Sequence, residues 1–363
     1  LETLLSVQQA HPMDNPLVEL SEPARTATAL GLVVRYAWLL FYPIRLAADY
    51  SGGVIAVESG LLAPRALFGL VVVLALSFVV VRAAVRRWRT PAGQSATDHD
   101  RGLSQVAFGI LLMGLPYLVI GNLLFPVGAI FAERFLYLPS AGFCWLMGLL
   151  VQKVHGIELR IGPFRHGRAV VPVILLLLLT SFVLRTWARS ADWRDNWTVF
   201  RSASRVNPAS PRAHFILGRL TLDRGDPEAA IEYFDRTIEL YPEHTTAWME
   251  KGNALAALGR YEEAEAMYRE TLARSPNYAK AHLNLALALR RQGRSAEAER
   301  ELSKAALWDP RSATTWAELG NLMLQLERWD EAADAYRRAI ALGRTDLGPR
   351  LARAESGAAS RRR

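Results

Sequence analysis

Pro208, Pro242, Pro276 and Pro310 stand 34 residues apart, and each closes the same succession of small and aromatic residues. A fixed period of that length restricts the fold more than any single motif. It demands helical hairpins, each too small to bury its apolar face alone and therefore stacked on its neighbours. The repeats follow directly on a series of apolar runs long enough to cross a bilayer. The expected fold is thus all-α: a polytopic helical membrane region followed by an α-solenoid.

Numbered from Pro211, the first hairpin has Gly218 at its eighth position, Ala230 at its twentieth, Phe234 at its twenty-fourth and Pro242 at its thirty-second. The second carries Gly252, Ala264, Tyr268 and Pro276 there, and the third Ala286, Ala298, Leu302 and Pro310. The fourth has Gly320, Ala332 and Tyr336. Trp248 and Trp316 occupy the fourth position of their hairpins. Small residues at eight and twenty let two helices cross closely, and the aromatic ring fills the gap beside them. The pattern resembles the tetratricopeptide repeat, over residues 208–344, with four whole repeats in 211–344. Upstream, Phe200, Ala203 and Pro208 match only a second helix, so a half repeat around 196–206 is expected within a junction of residues 191–210. Downstream, Arg344 replaces the closing proline. A polar capping helix is expected over about 346–354 within residues 345–363, and the tail ending Arg361–Arg363 reads as disordered.

The membrane region is expected over residues 26–190, after a polar loop of residues 1–25. Apolar runs lie at 66–81, 102–132, 135–152 and 169–184. The segment 26–48 is interrupted by Arg35, Pro43 and Arg45, and a charge near the bilayer centre is costly, so it can span, re-enter or lie at the interface. The first 190 residues hold 16 Lys/Arg and 10 Asp/Glu, the remaining 173 hold 27 and 25. The excess positive charge therefore belongs mainly to membrane loops, which argues against nucleic acid as a partner. The loops at 82–101 and 153–168 are the basic ones, whereas 49–64 has no Lys or Arg and 122–137 has only Arg134. Basic loops stay cytoplasmic, so alternation puts the repeats on the other side of the membrane. The Ala- and Arg-rich composition suggests a bacterial inner membrane, with a periplasmic solenoid. Cys144 is the single cysteine, which rules out an internal disulfide and argues against a zinc site. The chain begins at Leu1 without an initiator Met and reads as the C-terminal part of a longer protein.

First helices of such hairpins are expected to line a concave face. Asn284 stands at the sixth position of its repeat, and Asn253 and Asn321 at the ninth. An amide both donates and accepts, so such a ladder can hold an extended polypeptide backbone without reading its sequence. The alternative is that the three are ordinary residues facing water.

A second resemblance rests on the membrane half. The stretch from Phe125-Pro126-Val127-Gly128 through Ala132-Glu133-Arg134-Phe135-Leu136-Tyr137-Leu138-Pro139-Ser140-Ala141-Gly142-Phe143-Cys144 carries it, with Asp14-Asn15-Pro16, Trp38-Leu39-Leu40 and Pro43, Asp49-Tyr50-Ser51, and Trp197 to Arg201-Ser202. In that order they resemble the transmembrane-and-tetratricopeptide family of protein O-mannosyltransferases and their bacterial relatives. The resemblance implies a polytopic glycosyltransferase that takes its sugar from a polyprenyl- or dolichyl-phosphate carrier in the membrane lipid and acts on the non-cytoplasmic side. The family's catalytic carboxylate is expected upstream of Leu1, so no residue here is assigned as catalytic base and the chain alone is expected to be inactive.

A lipid-phosphate donor needs a cation near the membrane surface to neutralise the leaving phosphate, and Arg134 is the candidate. Glu133 can orient it or bind a sugar hydroxyl, unless the two are simply an interfacial pair. Tyr137 is a further candidate, with an interfacial anchoring role as its alternative. Asp14 and Asp49 can orient an acceptor or ligate a divalent cation, the one cofactor considered, although loop caps use Asp equally well. No resident metal site is expected, since no paired histidines stand at ligand spacing, and no phosphate-binding glycine loop or Gly-x-Ser-x-Gly elbow occurs. The rival readings are a non-enzymatic membrane-anchored scaffold and a polymerase or ligase of lipid-linked glycans.

Overall fold

The computed structural model describes residues 20–41, 58, 60–89, 97–120, 137–155, some positions within 176–190, and 191–361. All regular structure among the described residues is helical. The chain divides into two compact units, Leu1–Ala213 and His214–Arg363.

In the first unit lie α1 (Glu22–Phe41), α2 (Pro64–Arg89), α3 (Asp98–Ile120) and α4 (Tyr137–His155). Close crossings hold them together. A Cβ at Gly69 of α2 would come within 2.0 Å of the Leu30 carbonyl oxygen of α1, so only glycine lets these backbones meet. A Cβ at Gly142 of α4 would lie 2.6 Å from the Gly109 carbonyl oxygen of α3. Beside that crossing the Trp145 indole donates to the Gln105 carbonyl at 3.0 Å and meets Phe108 edge to face. Small residues at crossings and indole-to-backbone bonds suit helices packed in hydrocarbon, where helix–helix attraction comes from close contact and polar bonds. Along α2, Phe68, Val71, Leu74, Phe78 and Val81 point outward. Among the described residues α2 alone is long and apolar enough to cross a membrane by length and composition. The further expected runs fall partly or wholly outside the described residues. So do residues 42–57, where the fate of the interrupted segment is decided.

The junction contains α5 (Asn196–Val206), started by a capping box. The Thr198 amide donates to Asp195 Oδ1 at 2.8 Å, and the Asp195 amide donates back to Thr198 Oγ1 at 3.2 Å.

The solenoid comprises α6 (Pro211–Asp223) and α7 (Pro227–Leu240), α8 (Thr245–Ala257) and α9 (Tyr261–Arg274), α10 (Ala279–Arg291) and α11 (Ser295–Trp308), and α12 (Ala313–Gln325) and α13 (Trp329–Ala341). These are the four hairpins of the 34-residue period. In each turn between first and second helix a residue takes positive φ: Gly225, Gly259, Gly293 and then Glu327. The rings of Phe234, Tyr268 and Tyr336 are fully buried, each contributing about 1.5–3 kcal/mol through loss of exposed apolar surface. After a short turn, α14 (Gly348–Arg361) closes the array. It runs beyond the expected 346–354 and takes in Arg361, so the helix replaces the start of the expected disordered tail. Gly357 lets α14 sit flat on the Trp329 ring, where a Cβ would come within 2.5 Å.

Position four links one hairpin to the next. Trp248 Nε1 donates to the Pro242 carbonyl at 2.8 Å and Trp316 Nε1 to the Pro310 carbonyl at 2.9 Å. His282 substitutes in the third hairpin, its Nε2 lying 2.9 Å from the Pro276 carbonyl oxygen. The closing proline ends one helix and leaves a carbonyl that the next hairpin's ring caps.

Candidate functional site

The first helices α8, α10, α12 and the capping helix α14 are tied side by side through polar groups. Asn253 on α8 receives the Tyr268 hydroxyl at 2.9 Å and the Asn284 amide nitrogen at 2.8 Å on one oxygen. Its own amide nitrogen donates to Glu250 at 2.9 Å. Burial pushes the Tyr268 phenol well above its ordinary pKa, with the Glu250 charge adding to the effect, so it stays a donor. On α12, Asn321 Oδ1 accepts from the Tyr336 hydroxyl at 2.9 Å and from Arg350 Nη1 of α14 at 2.6 Å.

The three amides thus stand on one face, as their spacing suggested, but they do not all face water. Asn253 has its oxygen and nitrogen bonded within the protein and works as a brace between α8, α9 and α10. Asn284 and Asn321 each spend one end of the amide in the same way. Among the described residues, Asn284 Oδ1 and Asn321 Nδ2 make no hydrogen bond, one acceptor and one donor on adjacent first helices. Glu250, Glu318 and Arg290 lie on the same face, the last two joined at 2.7 Å.

Sequence reasoning missed a ladder on the second helices. Arg294 grips Glu265 of the preceding hairpin through Nη1 at 2.7 and 2.8 Å, and Glu297 of its own through Nε and Nη2, both at 2.7 Å. Arg328 repeats this with Glu299 and Glu331. The signal was an arginine recurring every 34 residues at 260, 294 and 328.

Asp14, Asp49, Glu133 and Arg134 lie outside the described residues. Tyr137 opens α4. Among the described residues no group of three or more His, Cys, Asp or Glu side chains gathers as a metal site.

Comparison with known proteins finds similarity in separate stretches of the chain. The family model described as Protein O-mannosyl-transferase TMTC, DUF1736, matches residues 7–77, and that of the cilia and flagella-associated protein 70 C-terminal domain, a TPR model, matches 187–356. Protein O-mannosyl-transferase TMTC3 of Mus musculus is 28% identical over 348 residues, covering 92% of this chain and 36% of the relative. Tmtc3 of Drosophila melanogaster is 28% identical over 91% of this chain and 32% of its own length. Drosophila Tmtc1 is 37% identical over 49% of this chain and 16% of its own. Among solved structures, TTC0263, a thermophilic TPR protein of Thermus thermophilus, aligns with 50% of this chain and 96% of its own, at TM-score 0.39 and 25% identity. The resemblance to the O-mannosyl-transferase family and its tetratricopeptide repeats therefore runs through both halves of the chain. The chain spans about a third of the length of the first curated relatives.

Proposed function

We propose that the chain is the C-terminal part of an integral-membrane glycosyltransferase that moves a sugar, mannose in the first instance, from a lipid-phosphate carrier to a polypeptide. The observation that carries this is the continuity of the match with protein O-mannosyl-transferases, which runs along 92% of the chain from its apolar helices into its repeats. In this reading the membrane region spans several times and binds the carrier. Arg134 neutralises the phosphate that departs as the sugar is transferred, with Glu133 fixing its guanidinium and Tyr137 anchoring the helix start. No residue of this chain is assigned as the base that accepts the acceptor's proton.

The repeats lie on the extracytoplasmic side, as the basic loops at 82–101 and 153–168 suggest. They hold the acceptor near the bilayer surface and raise its local concentration at the site.

The test uses full-length protein in proteoliposomes with polyprenyl-phosphate mannose and candidate protein acceptors. Mannose should appear on the acceptor, and Arg134→Ala should lower transfer about a hundredfold while membrane insertion is unchanged. Transfer that persists in Arg134→Ala removes the arginine from the mechanism. Absence of transfer from several lipid-phosphate sugars refutes the enzyme reading and favours a scaffold.

A further inference from the structure

The C-terminal end of the first-helix face carries more positive charge than its neighbours balance. Arg290 of α10, Glu318 and Asn321 of α12, and Arg350 of α14 form one row across three adjacent helices, joined by the Arg290–Glu318 pair at 2.7 Å and the Arg350–Asn321 bond at 2.6 Å. Glu318 and Asn321 stand three residues apart, and Arg353 stands three beyond Arg350, so both pairs share a helix face. Burial pushes the Tyr336 phenol up, and the charges of Arg350, Glu318, Arg353 and Arg290 all reach it, which places them around one point.

Four guanidinium groups, of Arg290, Arg344, Arg350 and Arg353, meet two carboxylates in this cluster, of which Glu318 is already held by Arg290, with Arg344 also facing it. Asp346 lies near Arg350, but both of its oxygens accept from Arg344, at 2.8 and 2.9 Å. Glu355 is paired with Arg337 at 2.8 Å. Arg350 is bonded to a neutral amide, so its charge remains, and both it and Arg353 are available on this face.

We propose that this end of the solenoid binds an acidic polypeptide segment, with Arg350 and Arg353 taking its carboxylates. An arginine fork fits a carboxylate with two parallel bonds, and both residues are exposed. The proposal deepens the reading of the repeats as a polypeptide-binding face, naming acidic sequence as what they select.

The experiment measures fluorescence anisotropy of the whole chain in nanodiscs with three labelled peptides: alternating Glu and Ser, the same with Gln for Glu, and the same with Lys. The Glu peptide should bind at least about tenfold tighter than the Gln peptide and weaken as salt rises. The Arg350→Glu/Arg353→Glu double variant should exchange that preference for the Lys peptide, a result that a folding defect cannot produce. Equal affinity for the Glu and Gln peptides overturns the proposal. So does an unchanged preference in the reversed variant, or binding to phosphatidylserine vesicles with indifference to peptide charge. Because the assay reads binding alone, acidic preference without mannose transfer would leave this inference standing and sink only the glycosyltransferase reading.

Discussion

At position eight of three hairpins the space left for a side chain is set by the ring at position twenty-four. A Cβ at Gly218 would come within 2.7 Å of Phe234, one at Gly252 within 2.7 Å of Tyr268, and one at Gly320 within 2.8 Å of Tyr336. The third hairpin has Ala286 there and pairs it with Leu302, which is smaller and branched rather than flat. Gly252→Ala should therefore destabilise the second hairpin by about 1–3 kcal/mol through overpacking, and adding Tyr268→Leu should recover part of that loss. Hydrogen exchange of α8 and α9 in the single and double variants checks the coupling; additive losses would deny that the two positions share one space. Glu327 is a second case. It takes φ 55 where the other three hairpins place glycine, and a side chain in the left-handed region costs about 1–2 kcal/mol. Glu327→Gly should slow exchange in the turn between α12 and α13, and faster exchange would contradict the strain. Both regularities stood in the sequence. The small-and-aromatic pairing was legible from the period alone, whereas the turn glycines were not, since a lone glycine says nothing about φ until the chain is folded around it.

Between elements, the arginine ladder fastens one second helix to the next. Burial pushes the Glu265 carboxyl up, but hydrogen bonds from Gln292 and Arg294, with the charges of Arg269 and Arg294, outweigh it and hold the group below its ordinary value. A lowered folded-state pKa stabilises the protein above the unfolded glutamate value of about 4.3, and that contribution is lost as pH falls through the folded value. Glu301 acts in the same direction, its burial outweighed by Lys304 and His282. The solenoid should thus lose stability on acidification below about pH 4. Arg294→Ala, which removes hydrogen bonds to a carboxylate only 6% exposed, should cost about 2 kcal/mol at neutral pH and flatten that acid limb. Urea unfolding of the whole chain across pH, followed by tryptophan fluorescence, measures both; an unchanged pH profile in Arg294→Ala would show that the ladder carries no stability. Charged residues recurring at a fixed interval resemble a solvated face when read linearly, so the ladder surfaced only once successive helices stood side by side. The amides were only half legible for the same reason. Spacing put Asn253, Asn284 and Asn321 on one face, but nothing in spacing shows that a tyrosine fifteen residues on occupies the oxygen of Asn253 and of Asn321.

For the molecule as a whole, the order of parts was legible because the two kinds of hydrophobic pattern differ so sharply: long uncharged runs first, then amphipathic helices of constant length. The candidate residues Glu133 and Arg134 lie outside the described residues, so pattern alone speaks for them. The orientation of the repeats is open to direct trial. With Cys144→Ala as background, a single cysteine introduced at Arg311, exposed in the turn after α11, should react with a membrane-impermeant maleimide in intact spheroplasts. One at Arg89, at the basic end of α2, should react only after lysis. The opposite pattern would place the repeats in the cytoplasm.

The ladder has a missing rung. Among the described residues Arg260 forks onto Glu263 of its own hairpin alone, because Ile231 stands where the others offer a carboxylate, and the Lys251–Asp235 pair joins the Trp248 and Arg274 bonds to the Pro242 carbonyl in holding that seam. Because that seam rests on apolar packing of Ala230 and Phe234 against Ala254 more than on forked ion pairs, rising salt should loosen the later seams before it.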